Sequence, residues 1–363
     1  MQHESRRLRK RWVSPSGFVT AVLTILWAGT VWAQEQSLQQ KVDLAIDSAR
    51  LRRLTAGVHN CWQIMHGVIA FGKDFKVLEG PERKPVEAID YICTRENVGG
   101  RRIFVADGYG VDILRNGLAA PLQGHEDQFL SILALDDVPP DQPIVTDAGQ
   151  HSVGDLVKEA QSRVRVGQEL TFTLMALGHY LPLDASWTNR EGQAWNIEYL
   201  TTLEARINLT SAACGGTHSL TALSRVLKRR DTAGLPRTEL WKTVAERLAY
   251  YKNLAQSWQN PDGSFSSYFF ASAGASGDVE QRLDSSGHTL EWLAYELPTH
   301  ELAQPWMERG ADYVAGLLNA NRERPLGPGA LYHAAHGLVL YRGKRWGTPP
   351  EPAKDVAAAK PAG

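Results

Sequence analysis

Residues 258–296, WQNPDGSFSSYFFASAGASGDVEQRLDSSGHTLEWLAYE, combine the end of one helix, a glycine-rich turn and the beginning of another helix. From Leu240 to the start of this stretch, bulky apolar residues recur every three or four positions, which predicts an amphipathic helix outside a core. Pro261 ends that helix because proline cannot continue it, and Asp262-Gly263 favours a turn. The final GHTLEWLAYEL is apolar on more than one side and predicts a helix buried within the fold.

Weaker copies of this plan recur along the chain, in which helices with a polar face alternate with shorter helices that are apolar nearly throughout. The other predicted outer and inner helices cover residues 38–54 and 59–71, 85–95 and 125–135, 152–164 and 167–180, 195–207 and 215–227, and 304–321 and 331–341. Because each inner helix must be buried against its neighbours, six such pairs predict an all-α fold, an (α/α)6 toroid of six helical hairpins. An open solenoid is the alternative, but it needs polar caps at both ends.

One segment departs from the helical pattern. Residues 101–115 alternate between apolar and polar side chains and contain the pair Asp107-Gly108, which favours a tight turn. We therefore expect a small β-hairpin between the first inner helices.

The two ends of the chain are predicted to lie outside the toroid domain, residues 34–346. Residues 1–33 have a basic start, an apolar middle and a small residue at the end, which predicts a signal peptide and a periplasmic or secreted protein. An uncleaved membrane anchor is the alternative, and it is the only membrane association that we expect. Residues 347–363 are rich in proline, alanine and lysine and predict a disordered tail.

Charge and cysteine content narrow the class of protein. The formal net charge is −1, and no basic stripe with interleaved aromatic residues follows the leader, so we expect no nucleic-acid partner. The three cysteines are too few for a disulfide scaffold. We predict that they are small buried hydrophobic residues, with a single bridge from Cys61 to Cys214 as the alternative.

Two motifs resemble the squalene cyclase and protein prenyltransferase superfamily. The segment QNPDGSF, residues 259–265, resembles its Q-x-x-x-G-x-(W/F) repeat motif, and YHAAHGL, residues 332–338, is similar to the Tyr-His-(x)3-Gly-Leu helix of prenyltransferase β-subunits. The resemblance implies the toroid fold across most of the chain. It also implies that Gln259 and Phe265 are structural residues. For Asp262 a structural role is expected too, and a functional role is the alternative.

The same resemblance implies a divalent metal, zinc, as cofactor. It places His333 where prenyltransferases have a zinc-ligating histidine and His288 near their zinc-ligating cysteine, with Ser286 in place of the aspartate and Asp284 close by. The acidic D-x-D-D motif of the cyclases is missing, so we do not predict terpene cyclisation. A complement-type thioester is excluded because CGGT, residues 214–217, replaces the Cys-Gly-Glu-Gln that it needs.

Histidines stand at or near the start of most predicted inner helices, namely His59, His66, His125, His218, His288, His333 and His336. In a toroid the N-terminal ends of the inner helices meet at one mouth, so these side chains would face a shared cavity suited to acid–base or metal chemistry. The predicted catalytic residues are His125, Glu126, Asp127, His218 and His288. The alternative is that each histidine only caps its own helix.

Two classes of function follow from these features. The first is an exported enzyme, a hydrolase, lyase or transferase, acting at the mouth of the toroid on a small molecule, a prenyl-like lipid or a saccharide. Four tryptophans would offer stacking platforms to a sugar, namely Trp62, Trp187, Trp195 and Trp292. The second is a non-catalytic scaffold or ligand-binding toroid.

Overall fold

Thirteen α-helices and four two-stranded antiparallel sheets make up the part of the protein that the computed structural model describes, residues 36–100, 102–114 and 123–347. The predicted signal peptide and residues 348–363 of the predicted tail lie outside the described residues. Within the described ranges, no helix combines the length and apolar character that a membrane crossing requires.

The helices and strands have the following bounds. In chain order the helices are α1 (Leu38–Arg50), α2 (Cys61–Phe71), α3 (Ala88–Thr94), α4 (Gln128–Leu135), α5 (Val153–Arg163), α6 (Thr171–Tyr180), α7 (Ile197–Glu204), α8 (Thr217–Thr232), α9 (Glu239–Ser257), α10 (Val279–Glu296), α11 (Thr299–Leu302), α12 (Pro305–Ala320) and α13 (Pro328–Trp346). The strands are β1 (Lys76–Glu79), β2 (Lys84–Glu87), β3 (Phe104–Ala106), β4 (Val111–Ile113), β5 (Pro143–Thr146), β6 (Gly149–Ser152), β7 (Ser186–Thr188) and β8 (Ala194–Asn196), and each odd-numbered strand pairs with the next.

Helices α2, α4, α6, α8, α10 and α13 supply most of the buried core, and we call them the inner helices. Each packs against the next one, and α13 packs back against α2. The amphipathic helices lie against them: α1 contacts α12 and α13, α5 and α7 contact α6, and α9 contacts α8. The fold is therefore mostly helical, with small antiparallel sheets.

Basic side chains hold the C-terminal ends of neighbouring inner helices together. Lys228 of α8 and Lys344 of α13 both donate to carbonyls at the end of α10, at 2.5 Å each for the carbonyl of Tyr295. Arg229 of α8 donates to the carbonyl of Leu181 just after α6, at 2.6 Å. Cations at a helix C-terminus complement both its free carbonyls and its dipole. These contacts place the C-terminal ends of the four helices on one side of the molecule.

The hairpins were predicted only in part. The hairpin expected in residues 101–115 is present as β3 and β4, and the Asp107 side chain accepts the backbone amides of Tyr109 and Gly110 in its turn. Three further hairpins each connect an inner helix to the next amphipathic helix. The second predicted outer helix is wrong in its first residues, which form β2, and the fourth in its first residues, which belong to β8. Strands this short and exposed leave no run of alternating residues in the sequence.

Helix α10 begins well before the position that the sequence predicted. Its N-cap is Asp278, whose side chain accepts the backbone amide of Gln281 at 2.8 Å, so His288 lies in the middle of the helix and not at its start. The Ser- and Gly-containing segment before His288 resembles a loop in the sequence. Its small side chains are instead buried against α13, where a Cβ on Gly287 would lie 2.8 Å from the Cα of Ala334.

The glutamine motif ties the turn after α9 to α12. Gln259 donates to the carbonyls of Gly263 and Trp306, at 3.0 and 2.8 Å. The buried ring of Phe265 meets Trp306 edge to face and lies against Gly310, where a Cβ would be 2.9 Å from the ring. These contacts account for Gln259 and Phe265 by packing and backbone hydrogen bonding alone.

Candidate metal centre

Four histidine rings from four inner helices meet inside the protein. The ring of His333 stacks on that of His288 with centroids 3.9 Å apart, and His218 lies 5.0 Å from both. His66 approaches His333 edge to face at 5.2 Å. None of the four is more than 9% exposed. The packing of α2, α8, α10 and α13 thus brings together side chains that are far apart in the sequence.

Cys214 joins two of these histidines in what we call the Cys–His cluster: Cys214, His218 and His288. One ligand atom from each of the three lies within 4.8 Å of the other two. In a tetrahedral zinc site, metal–ligand bonds of about 2.0–2.3 Å separate the ligand atoms by about 3.3–3.6 Å. Small side-chain movements would therefore close the cluster around one ion. Nε2 of His288 is buried and makes no hydrogen bond of ordinary geometry with the described residues, so it can bind a metal ion once it has lost its proton.

The backbone at Cys214 is unusual and positions the thiol. Cys214 has φ 49° and ψ 41°, a left-handed conformation that residues with a side chain rarely adopt. Gly215 and Gly216 continue with positive φ, and α8 begins at the next residue. This sharp turn directs the thiol of Cys214 towards His218, which lies in the first turn of α8.

Carboxylates and backbone carbonyls orient the histidine rings. Nδ1 of His288 lies 2.8 Å from the backbone carbonyl and 3.3 Å from the carboxylate of Asp284. Nδ1 of His333 lies 2.7 Å from Glu291, whose other oxygen is 2.6 Å from Nδ1 of His336. Because a carbonyl oxygen can only accept, Nδ1 of His288 carries the hydrogen. This is the arrangement in which metal-ligating histidines present Nε2 to the ion.

The electrostatics of the cluster depend on burial and on these partners. Burial lowers the pKa of His218 and His333, and it lowers the pKa of His66 to about 3, so these rings are neutral. Burial also acts to lower the pKa of His288, but Cys214 and Asp284 outweigh it and raise that pKa well above its usual range. Without a metal, His288 therefore holds a proton beside the thiol. A metal ion would displace that proton, as metal binding to thiols and imidazoles generally does.

A cavity of about 360 Å³, the inner cavity, extends from the histidines along the inner helices. His218, Thr221 and Arg225 of α8 line it in successive turns, and His333 and His336 of α13 do the same. Its apolar lining comes from Ile69, Ile132, Leu135, Phe172, Met175 and Leu340, and Gln128, Ser131, Thr221 and Glu291 add polar groups to the wall. At the end away from the Cys–His cluster, the lining includes Asp137, whose side chain is 86% exposed.

The loop between α9 and α10 covers the opposite end. The side chain of Phe269 lies on Gly215, where an added Cβ would be 2.1 Å from the Cβ and Cγ of Phe269. Its ring centroid is 6.3 Å from that of His288. The four histidine rings therefore lie inside the protein and not on its surface. His288 and His333 are buried because α10 and α13 begin more than one turn before them.

The structure brings some of the predicted site residues together and separates others. His218, His288 and His333 are in contact with one another, whereas the ring of Phe172 lies between His125 and His218. His125 stacks on Phe172 with ring centroids 4.9 Å apart, and its Nδ1 lies 2.9 Å from Glu169. Phe172 in turn lies 5.2 Å from His218. His125 is thus a neighbour of the cluster through an aromatic contact.

Glu126 and Asp127 belong to a different network. Nε of Arg163 lies 2.9 Å from Glu126, and a terminal nitrogen of the same guanidinium donates to Asp127, which also accepts from the hydroxyl of Thr173. Asp127 is buried with φ 56°. The catalytic role predicted for these two acids has no support from their positions, because both pair with a cation and not with the histidine rings.

Cys214 is the candidate metal ligand that sequence reasoning missed. All three cysteines are free, so the alternative bridge from Cys61 to Cys214 is not formed. Cys61 and Cys93 are buried as predicted, and burial raises the pKa of Cys61 to about 12. Cys214 is less buried and points at two histidines. The signal was the segment CGGTH, residues 214–218, in which a glycine turn places a thiol and an imidazole at the start of one inner helix.

The tryptophans divide between the core and the surroundings of the cavity. Trp195 and Trp292 are almost fully buried, so neither offers a face to a sugar. Trp62 packs beside His66 with ring centroids 4.0 Å apart. Trp187 is half-buried on β7.

Comparison of the chain with protein-family models, with curated proteins and with solved structures gives no match in any of the three. The resemblance to the squalene cyclase and protein prenyltransferase superfamily therefore rests on the two motifs alone. The chemistry of the site has to be inferred from its own residues.

Proposed function

We propose that this protein is an exported, zinc-dependent enzyme of the (α/α)6 toroid type, whose metal ion is held by Cys214, His218 and His288 at the end of the inner cavity. The observation that carries the proposal is the convergence of three ligand atoms, one each from Cys214, His218 and His288, within 4.8 Å of one another. The cyclic packing of six inner helices supports the toroid. Export is supported only by the composition of residues 1–33.

The ligand set favours zinc over other divalent ions. One thiolate and two imidazoles form a borderline-soft donor set that suits zinc, whereas calcium and magnesium prefer oxygen. Three protein ligands leave a fourth position free, as catalytic zinc sites do and structural sites usually do not. A zinc ion there would act as a Lewis acid or lower the pKa of bound water.

His333, Glu291 and His336 would move protons beside the metal. Glu291 joins the two histidines through its two oxygens, and all three side chains line the inner cavity. Burial acts to raise the pKa of Glu291, but His333 and His336 outweigh it and hold that pKa well below its usual range. With Nδ1 bonded to Glu291, His333 can exchange a proton with substrate through Nε2. We infer a hydrolysis or elimination in which His333 is the general acid or base.

Metal analysis of the purified chain tests this proposal. We expect about one zinc per chain in protein prepared without chelators, and less than about 0.2 in Cys214→Ser, His218→Ala and His288→Ala. His179→Ala is the matched control because His179 is a half-buried histidine outside the Cys–His cluster, and it should keep its zinc. Circular dichroism establishes that each variant is folded. Wild-type protein without zinc even after reconstitution, or full zinc content in Cys214→Ser, would refute the assignment.

A second candidate function is thiol catalysis without a metal. The strained backbone at Cys214, the position of its thiol at the start of α8 and the order Cys214, His288, Asp284 are those of an activated cysteine nucleophile. In zinc-free protein this reading predicts fast alkylation of Cys214 near pH 6 that slows at least tenfold in His288→Ala. A protein that shows neither zinc binding nor an activated thiol would be a ligand-binding toroid or scaffold.

A further inference from the structure

We propose that Arg225 is the anion-binding end of the inner cavity, so that the ligand is an elongated, largely apolar molecule with one carboxylate or phosphate group about 10 Å from its reacting group. Only the part of this proposal that concerns the reacting group rests on the proposed function, because the reacting group would lie at the metal centre. The anion site depends on the cavity and on Arg225, and it can be tested without a metal.

The guanidinium of Arg225 has unused hydrogen-bonding capacity. Among the described residues no carboxylate lies within ion-pair distance of it; its one hydrogen bond is a long one, 3.4 Å, to the carbonyl of Ala134. Its carbon lies 5.2 Å from the centre of the Tyr295 ring, which holds the group in place by cation–π contact. The neighbouring Lys228 and Arg229 have less capacity to bind a ligand, because each already donates hydrogen bonds to two backbone carbonyls. A planar fork of donors that is already oriented suits a carboxylate or phosphate.

The position of Arg225 fixes the length of the ligand. His218 and Arg225 both line the inner cavity and are seven residues apart on α8, which corresponds to about 10 Å along the helix axis and to the same face. Between these ends the wall includes the apolar side chains of Ile132, Met175 and Leu340 and the hydroxyls of Ser131 and Thr221. A volume of about 360 Å³ is within the range of small-molecule sites. An apolar chain therefore matches the middle of the cavity and an anion matches its open end.

A second cavity supports this orientation. This basic cavity, of about 420 Å³, shares Arg225, Met175 and Tyr295 with the inner cavity and is also lined by Lys228 and Arg229. Lys228 and Arg229 offset the negative C-terminal ends of α10 and α6 at this end, which leaves the charge of Arg225 available to an anion. The two acids nearby are not in ion-pair contact with Arg225: Asp137 lies 3.8 Å from His179, and Asp136 interacts with Arg225 through charge alone while burial raises its own pKa to about 7.

Octanoate and 1-octanol are the probes for the anion site, because they share a chain length and differ in charge. Calorimetry on metal-free protein should show that octanoate binds at least tenfold more tightly than octanol, a difference of about 1.4 kcal/mol. Arg225→Met should abolish this preference and leave octanol binding within about twofold of wild type. Arg225→Lys should retain part of it, since the charge stays and the fork is lost. Arg229→Met is the matched control and should keep most of the preference, because Arg229 lines only the basic cavity and its donors are bound to two carbonyls.

Equal binding of the two probes to wild-type protein would overturn the proposal, as would an unchanged preference in Arg225→Met. If Arg225→Met does not fold, the ratio of octanoate to octanol affinity in wild-type protein and in Arg225→Lys still tests the proposal. These outcomes are independent of zinc, so failure of the metal centre is recognised separately by metal analysis.

Cobalt-substituted protein tests the distance between the two ends. 8-Mercaptooctanoate should bind through its thiolate, seen as thiolate-to-cobalt charge transfer, at least tenfold more tightly than 8-mercaptooctanol. 3-Mercaptopropionate is too short to reach both ends and should bind equally to wild type and Arg225→Lys. An Arg225 dependence of the short thiol as large as that of the long one would contradict the 10 Å spacing.

Discussion

The rings of His288 and His333 stack 3.9 Å apart because two glycines allow α10 and α13 to approach each other closely. A Cβ on Gly287 would lie 2.8 Å from the backbone of α13, and one on Gly337 would lie 2.9 Å from the backbone nitrogen of Glu291. Close packing of this kind fixes both the histidine stack and the bonds from Glu291 to His333. The geometry of the candidate metal centre is thus determined by residues that carry no functional group.

Gly287→Ala should separate these helices and damage the metal centre. We expect a loss of about 1–3 kcal/mol of unfolding free energy, since backbone cannot move away as a side-chain end can. Zinc affinity should fall with it, measured by chelator competition. Gly343→Ala is the matched control on α13, where nothing lies within 4 Å of an added Cβ, and it should be neutral or stabilising by up to about 1 kcal/mol. Equal effects of the two substitutions would disprove the close-packing argument.

Asp284→Asn should weaken metal binding without unfolding the protein. The carboxylate lies 3.3 Å from Nδ1 of His288 and supports the ring that presents Nε2 to the ion. Loss of such an outer partner typically lowers metal affinity 10- to 100-fold. We expect the lower figure because the backbone carbonyl of Asp284 remains at 2.8 Å. Asp262→Asn, which removes an exposed partner of Arg282, should leave zinc affinity unchanged.

Much of the helical plan could be predicted because buried and half-buried helices leave periodic apolar patterns. The predicted hairpin also had a strong turn signal in Asp107-Gly108. The start of α10 could not be predicted, because Ser285 and Ser286 are polar in sequence yet are buried as small residues that allow close packing. Periodicity reports which residues avoid water, and it does not report how closely two backbones approach.

The candidate site was predictable as a set of histidines but not as a geometry. His218, His288 and His333 were selected by their positions near inner helices, and the fold brings them into contact. Cys214 was missed because an unpaired cysteine usually behaves as a small buried hydrophobic residue. Asp127 was selected because it follows His125, but its side chain turns to Arg163, which only tertiary structure could place there.

Phe269→Ala should expose the thiol of Cys214. Phe269 packs on Gly215 beside the thiol and has a left-handed backbone, φ 51°. In metal-free protein we expect alkylation by iodoacetamide to become at least fivefold faster, measured by mass spectrometry of the modified peptide. Cys61 and Cys93 are buried and should stay unmodified. The control is Tyr268→Ala, a substitution at an exposed neighbouring residue, in which Cys214 should be alkylated at the wild-type rate.

Arg163→Met should unfold the protein more readily without changing the metal centre. Arg163 pairs with Glu126 and with the buried Asp127, and its loss leaves a buried carboxylate without a cation. Removing one partner of a buried ion pair typically costs about 3–5 kcal/mol. Urea titration should show this loss, and zinc per folded chain should remain at the wild-type value. If the variant folds but loses its zinc, Glu126 and Asp127 would have to be considered as residues that support the metal centre.

Asp136 should make the stability of the protein fall as pH rises towards neutrality. Burial raises the pKa of this carboxyl to about 7, even though His336 and Arg225 act to lower it, and Asp137 and Asp74 raise it further. It also caps the C-terminal end of α4, where the helix dipole disfavours negative charge. Between about pH 4 and pH 7 the folded chain therefore keeps a proton that the unfolded chain has lost. Unfolding free energy must then decrease with rising pH over that range and level off above it.

Asp136→Asn removes this dependence, because an amide does not ionise. At pH 8 the variant should be more stable than wild type by about 1–3 kcal/mol, and near pH 4.5 the two should agree within about 0.5 kcal/mol. Urea unfolding at pH 4.5, 6 and 8 measures the difference directly. Asp137→Asn is the control at an exposed neighbour: it retains Asp136 and should therefore keep most of the wild-type fall in stability with rising pH. A variant whose stability falls further below that of wild type as pH rises would mean that Asp136 is charged and usefully bonded in the folded protein, and the sign of its pKa shift would be reversed.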